Sequence, residues 1–315
     1  MNIYYLKGRR TVVRFADQRD QWDIFVSAYN ESGRVRIAFE KIAAHSKVWV
    51  SIPEYAYTEA ELSCLSGVIR CEPSDTESAV VQRIVECVGV DALRTRRVCV
   101  DITGFMRPQI LFMIKYLVDT GVKSFWLAYS EPERYSRKEH TAFSKEEISN
   151  VRQVHGYEGV HSDDMTRDVL MVGVGYDDAL ISRVINDKDS ARLVQMLSLP
   201  SLSADMYQES VLRLDRTGAN TDLSHDNRVI FAPANDPFVI ASELSDKYKD
   251  LCRGNQVSNL YLSPLATKPQ AVGFALFYLH ELTNEPASIV FPFARFYERE
   301  TSKGIGRTWL YHVEL

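Results

Sequence analysis

Short, strongly apolar runs alternate with amphipathic helical patterns along almost the whole chain, and this alternation constrains the fold more than any other feature. "WDIFVSAY" is followed by "GRVRIAFEKIAAH" and "KVWVSI", and "RVCVDI" by "PQILFMIKYLVDT" and "VKSFWLAY". Further on, "DVLMVGVG" precedes "DDALISRVIND", "RVIFAP" precedes "DPFVIASELSDKYKDL", and "NLYLSPL" precedes "PQAVGFALFYLHELT" and "SIVFPF". Strands this apolar cannot leave a face in water, so helices must cover them on both sides, as happens when parallel strands are joined by crossover helices.

The fold class expected is therefore α/β: a Rossmann-like, doubly wound, mainly parallel sheet. Strands ending near Ile102, Val174, Phe231 and Leu262 are expected as parallel neighbours in one sheet, with their loops at one edge. At 315 residues the chain is long enough for one extended domain or two smaller ones. We divide it into an N-terminal α/β subdomain, 1–92, ending near "EPSDTESA", and a Rossmann-like core, 93–315, carrying the ligand crevice. The polar stretch from "PERYSRKEH" to "HSDDMTRD" is expected as surface loop and short helix.

A formal net charge of -5 argues against general attraction to nucleic acid or to anionic membranes. Five cysteines without CxxC spacing read as reduced side chains rather than a disulfide framework or zinc site. The start "MNIYYLKGRRTVVRF" lacks the apolar stretch of a signal peptide, and runs such as "AVGFALFYL" fall well short of a bilayer span. A cytoplasmic protein without membrane contact is expected.

Two segments resemble each other. "RPQILFMIKYL" at 107 and "KPQAVGFALFYL" at 268 share a basic residue, Pro and Gln before similar helices, and each is followed by a strand that ends in an aromatic loop. Either the two βαβ units descend from a duplication, or the likeness reflects the general fitness of Pro at helix starts.

In open parallel sheets ligands bind beyond the carboxyl ends of the strands, where loops enter helix N-termini. The loops "DITGFMRP", "GVGYDD", "APANDPF" and "SPLATKP" qualify. They and the loop at Glu131 provide the candidate ligand-binding residues Thr103, Gly104, Arg107, Glu131, Tyr176, Asp177, Asn235, Asp236, Thr267 and Lys268. Asp177, Asp236 and Thr267 also suit helix capping. Arg107 and Lys268 do not, because a cation at a helix start opposes the macrodipole. Either they converge on a phosphate or carboxylate in one crevice, or each pairs with a nearby acid. "GVGYDD" lacks the third glycine of the dinucleotide fingerprint. His155, Glu158, His161, Asp163 and Asp164 are metal-ligand types, but without ligand spacing they read as a solvated loop. No nucleophile motif is present, which leaves Asp101, Glu131 and Asp236 as carboxylates for acid–base chemistry. Whether a cofactor is bound is left open.

"VCVDITGFMRPQILFMIKYL" resembles the strand, D-x-T-G loop and helix of CARF-type sensor domains of bacterial defence, which bind cyclic oligonucleotides. "YLSPLATKPQAVGFALFYL" is similar to a later strand and Lys-containing loop of such domains. The resemblance implies ligand contacts by Thr103, Gly104 and Lys268. "WDIFVSAYNESGRVRIAFEKI" is similar to the first strand, loop and helix of TIR domains, some of which cleave NAD. The function expected is a sensor or adaptor in a bacterial signalling or antiviral defence system, binding a nucleotide or other anionic small molecule and working with a protein partner or a second copy of itself. An enzyme acting on a nucleotide or NAD, and a non-catalytic scaffold subunit of a defence complex, are the alternatives.

Overall fold

The computed structural model describes residues 5, 7–13, 15, 22–135, 148–203, 206–217, 228–254, 257–300 and 302–314. The chain divides into two compact units. One, here the flanking unit, comprises Lys7–Glu146 and Arg295–Leu315; the other, the central unit, comprises Met1–Leu6 and Glu147–Ala294. Both are α/β, with mixed, mostly parallel sheets.

The flanking unit opens with β1 (Arg9–Val13), β2 (Trp22–Ala28), α1 (Gly33–Lys41), β3 (Ala44–Ser51), α2 (Glu59–Leu62) and β4 (Val68–Arg70). It continues with α3 (Glu77–Val88), α4 (Val90–Thr95), β5 (Val98–Asp101), α5 (Arg107–Asp119), β6 (Ser124–Ser130) and the short β7 (Arg134–Tyr135). The central unit follows as β8 (Ile148–Gln153), β9 (Val169–Gly173), α6 (Asp178–Asp187), β10 (Arg192–Ser198), α7 (Met206–Arg216), β11 (Val229–Ala232), α8 (Pro237–Gly254), β12 (Leu260–Pro264), α9 (Lys268–Phe277) and β13 (Ala287–Ala294). The chain then returns to the flanking unit, where β14 (Ser302–Lys303) pairs with β7 and β15 (Thr308–Glu314) joins the main sheet.

The seven-stranded sheet has the order β1-β15-β6-β5-β2-β3-β4, and the six-stranded sheet the order β11-β10-β9-β12-β13-β8. Counted from β2 and from β9, each sheet places its first five strands in the order third, second, first, fourth, fifth. All of these are mutually parallel, and an antiparallel strand follows, β15 in one and β8 in the other. Because side chains alternate across a strand, Phe25 and Cys99 pack with Ala38 and Ile42 on the α1 side. Val26 and Val100 face Ile84 of α3 and Met113 of α5 on the other. Helices thus cover both faces, as the apolar strands require.

Three expectations need correction. Residue 92 is not a boundary, because β5 pairs along β2 in one sheet, so 1–92 and the segment after it share a core. The strand before Ile102 belongs to the seven-stranded sheet, whereas those ending near Val174, Phe231 and Leu262 belong to the six-stranded one. The polar stretch after Pro132 holds β8, an edge strand on β13 that is followed by the fully buried Val154.

The last segment is tied into its unit from both ends. β15 pairs with both β1 and β6, and Arg299 donates to the carbonyls of Tyr55 (2.8 Å) and Ala56 (2.6 Å) and to Glu61 (2.6 Å). Those contacts fasten a turn in which Ala56 has φ 48°, an unfavourable value for a residue with a Cβ. The Thr58 backbone N–H and the Arg299 guanidinium hold the Glu61 carboxyl at about 2. A chain ending at Ala294 is therefore expected to lose hydrogen-exchange protection in β5 and β6 while keeping it in β9 and β12; unchanged protection of β6 would contradict this.

Candidate functional site

In the flanking unit β2 and β5 are neighbours, with Ser27 opposite Asp101. The chain leaves β2 towards β3 and leaves β5 towards β6, which lie on opposite sides of this central pair. The loops 29–32 and 102–106 therefore diverge from one edge, and α1 and α5 begin there. Their close approach requires glycine at 104, where a Cβ would lie 2.3 Å from the Ala28 carbonyl oxygen. The Tyr55 hydroxyl locks this contact by donating to the Gly104 carbonyl (2.9 Å).

Beneath the loops lies a fully buried carboxylate. Asp101 Oδ2 accepts from the Ser27 hydroxyl (2.9 Å), and Oδ1 accepts from the Thr103 amide (3.0 Å) and hydroxyl (2.5 Å). The Thr103 oxygen in turn accepts from the Ser130 amide (2.9 Å). Burial pushes the Asp101 carboxyl above the usual carboxylate range, opposed by the Thr103 and Ser27 hydrogen bonds and by the charge of Arg34.

The start of α1 is unusual. Ser32 occupies the N-cap position, yet its hydroxyl accepts nothing from the helix; the residue is 3% exposed and its Oγ has no partner. Arg34 stands in a first turn without an acidic residue. Its Nη1 donates to the Ser130 carbonyl (3.1 Å), while its Nε is buried and unpartnered. Leaving a buried donor unsatisfied costs about 1–3 kcal/mol, so such groups call for an acceptor. The charges of Arg34 and Arg107 both act on the buried Tyr55 hydroxyl, whose protonation is enforced chiefly by burial.

The start of α5 resolves the placement of Arg107. Both carboxylate oxygens of Glu54 accept from Gln109 Nε2 (3.0 and 2.9 Å), so the protein places an anion beside the first turn of α5. Arg107 is itself engaged within the protein. Gln109 Oε1 accepts from the Met106 amide (3.0 Å), and in the central unit the equally buried Gln270 accepts from the Ala266 amide (3.1 Å). The Gln of the shared "PQ" thus fastens its own loop in both units, a role that attention to the preceding cations missed.

The corresponding edge of the central unit is filled by its own groups. Asp177 caps α6 at the Leu180 amide (3.2 Å), and the buried Arg213 donates to the Tyr176 carbonyl (2.6 Å) while pairing with Glu209 (2.9 Å) and Asp178 (3.6 Å). A Cβ on Gly175 would stand 2.1 Å from the Leu265 carbonyl oxygen. Asp236 caps α8 through the Phe238 and Val239 amides, next to the half-buried Asn235. Thr267 caps α9 at the Gln270 amide and donates to the Ala234 carbonyl, immediately before Lys268, which is also engaged.

The candidate residues therefore fall into two sets. Thr103, Gly104, Arg107 and Glu131 belong to the seven-stranded sheet, and Tyr176, Asp177, Asn235, Asp236, Thr267 and Lys268 to the six-stranded one. The expected convergence of Arg107 and Lys268 along one sheet edge is thereby corrected: they follow strands of different sheets. Glu131 is buried and accepts from Trp309 Nε1 (2.7 Å), joining the end of β6 to β15. Sequence reasoning missed Ser32, Arg34 and Tyr55. The only local signal was a serine followed by a cation at a helix start.

Among the described residues no group of three or more His, Cys, Asp or Glu is placed to hold a metal ion. In the His155–Asp164 segment, the Asn259 side chain instead organises the backbone of Ser162 and Asp164. No helix of the described residues is long and apolar enough to cross a membrane. The chain matches no protein-family model and no curated protein.

The raised carboxyl of Asp101 predicts a pH signature. Below the usual carboxylate range Asp101 is protonated in both folded and unfolded chains, and its contribution is fully present. As pH rises through that range the unfolded chain ionises first, so stability is lost up to the raised folded value. Asp101→Asn cannot ionise, and its stability relative to the unaltered protein is expected to rise with pH across this window in denaturant unfolding. A difference constant with pH would refute the assignment.

Proposed function

We propose that the protein binds a phosphate-bearing ligand of the nucleotide class where α1 begins in the flanking unit, and that it serves as a sensor or adaptor rather than a hydrolase. In this reading both sheets are Rossmann-like and doubly wound, and the ligand sits where the strand order reverses. The observation that carries the proposal is the pair of buried, unpartnered donors, Ser32 Oγ and Arg34 Nε, at an uncapped helix N-terminus. A phosphate oxygen accepts from such groups and gains from the helix dipole.

The central unit supplies an internal contrast, since Asp177 and Arg213 occupy the equivalent place at α6. The carboxylates nominated for catalysis are committed to the fold: Asp101 to Ser27 and Thr103, Glu131 to Trp309, and Asp236 to the start of α8. The resemblance of the 98–117 segment to nucleotide sensors points the same way. Thr103 and Gly104, however, serve the protein's own network, and the ligand contacts move to Ser32 and Arg34.

A thermal-shift panel of ATP, NAD, pyrophosphate and cyclic oligonucleotides tests this. A ligand at a hundred times its dissociation constant adds about 2.7 kcal/mol of stability. At least one member is expected to shift the native protein and to be recovered unchanged. Arg34→Gln should weaken that ligand by about ten- to a hundredfold, the worth of a charge-assisted hydrogen bond, whereas Lys268→Gln should not. No shift across the panel, or native binding by Arg34→Gln, overturns the site; a converted ligand overturns the sensor reading.

A further inference from the structure

The flanking unit contains a second feature, at the opposite edge of its sheet. A cavity of about 200 Å³ lies between α3 and α5, on the face away from α1. Val98 and Val100 form its floor, with Ile84 and Val85 of α3 and Met113 and Leu117 of α5 as walls, all of them buried. Protein interiors are packed nearly as densely as organic crystals, so a pocket of this size with an apolar floor and walls is a departure from ordinary packing. An apolar cavity of about 150 Å³ stays dry and accepts benzene.

The mouth has different chemistry. It is formed by the end of α4 and the residues leading into β5, including Arg94, Arg96 and Arg97. Arg94 is fixed on the Thr120 carbonyl (2.9 and 2.6 Å) and lies 3.9 Å from Asp91, while Arg97 lies over the Trp22 ring at 5.1 Å. Arg96 is exposed, and its side chain forms no ion pair among the described residues. α4 itself contains no buried residue and hangs from α3 at Gly89, which has φ 87°. The mouth is thus bordered by the least packed helix beside the pocket.

We propose that this cavity is a binding site for a saturated monocarboxylate of about six to eight carbons, the tail buried between α3 and α5 and the carboxylate at Arg96. The volume limits the tail to that length, on the scale set by benzene in a slightly smaller void. Arg96 at the mouth selects an anionic head over a neutral one. This site is independent of the phosphate site at α1, which lies at the carboxyl ends of the same strands.

Calorimetric titration of the full chain with hexanoate, octanoate, dodecanoate and 1-octanol tests the proposal. Octanoate is expected to bind one-to-one, tighter than hexanoate by about fourfold per methylene, and dodecanoate to gain nothing over octanoate. Val85→Phe fills the cavity and should abolish binding, with melting temperature as the check on folding. Arg96→Glu, at an exposed position, should weaken octanoate by about two- to fivefold and leave 1-octanol unchanged. Absence of saturable octanoate binding, affinity that keeps rising to dodecanoate, or native affinity in a folded Val85→Phe each overturns the site. If Val85→Phe does not fold, native octanoate affinity in Arg96→Glu overturns it.

Discussion

Asp101 is wholly removed from water at the end of a central strand, and three donors converge on it from β2 and from its own loop. Through the Thr103 hydroxyl the same network reaches the amide of Ser130, so one carboxylate sets the relative positions of β2, β5 and β6 at their carboxyl ends. The cost of burying it is visible in its raised affinity for a proton. That network places the Ser130 carbonyl where Arg34 reaches it, and with it the geometry of the α1 start. If the network were loosened, Arg34 would have no fixed anchor, and the two unpartnered donors would be free to turn towards water.

The two units show how one strand order supports different loop chemistry. In each, a buried glutamine after a cation and a proline fastens the loop that precedes the helix between the fourth and fifth strands. In each, a glycine permits two loops to touch at the reversal of strand order. They differ at the helix after the first strand. An aspartate caps α6 and satisfies its amide, whereas a serine at the start of α1 does not. Capping with a fixed carboxylate closes a helix N-terminus to an external anion, because the same amides and the same dipole are already used.

Both proposed sites lie where folding left something incomplete. At α1 the deficit is polar, two donors without an acceptor; between α3 and α5 it is volume, a space that the apolar side chains around it leave unfilled. Each deficit names its own complement, an anion in one case and a short hydrocarbon tail in the other. They sit at opposite edges of one sheet, since parallel strands gather helix starts at their carboxyl ends and helix ends at the other.

The sequence alone determined the element types, because apolar strands without a polar face, prolines in the first helical turn and the residues Asp177, Asp236 and Thr267 act through local geometry. It also exposed the likeness between 107 and 268, whose segments take the same station in the two sheets. It did not determine which strands share a sheet. A parallel strand buried on both faces fits many neighbours, so "RVCVDI" carried no mark placing it beside β2 rather than β9. Tertiary structure alone also decided the surroundings of Ser32 and Arg34. The bond from Arg34 to the Ser130 carbonyl spans 96 residues, and the isolation of Ser32 depends on what surrounds its hydroxyl, so both are products of packing between elements that no local pattern encodes.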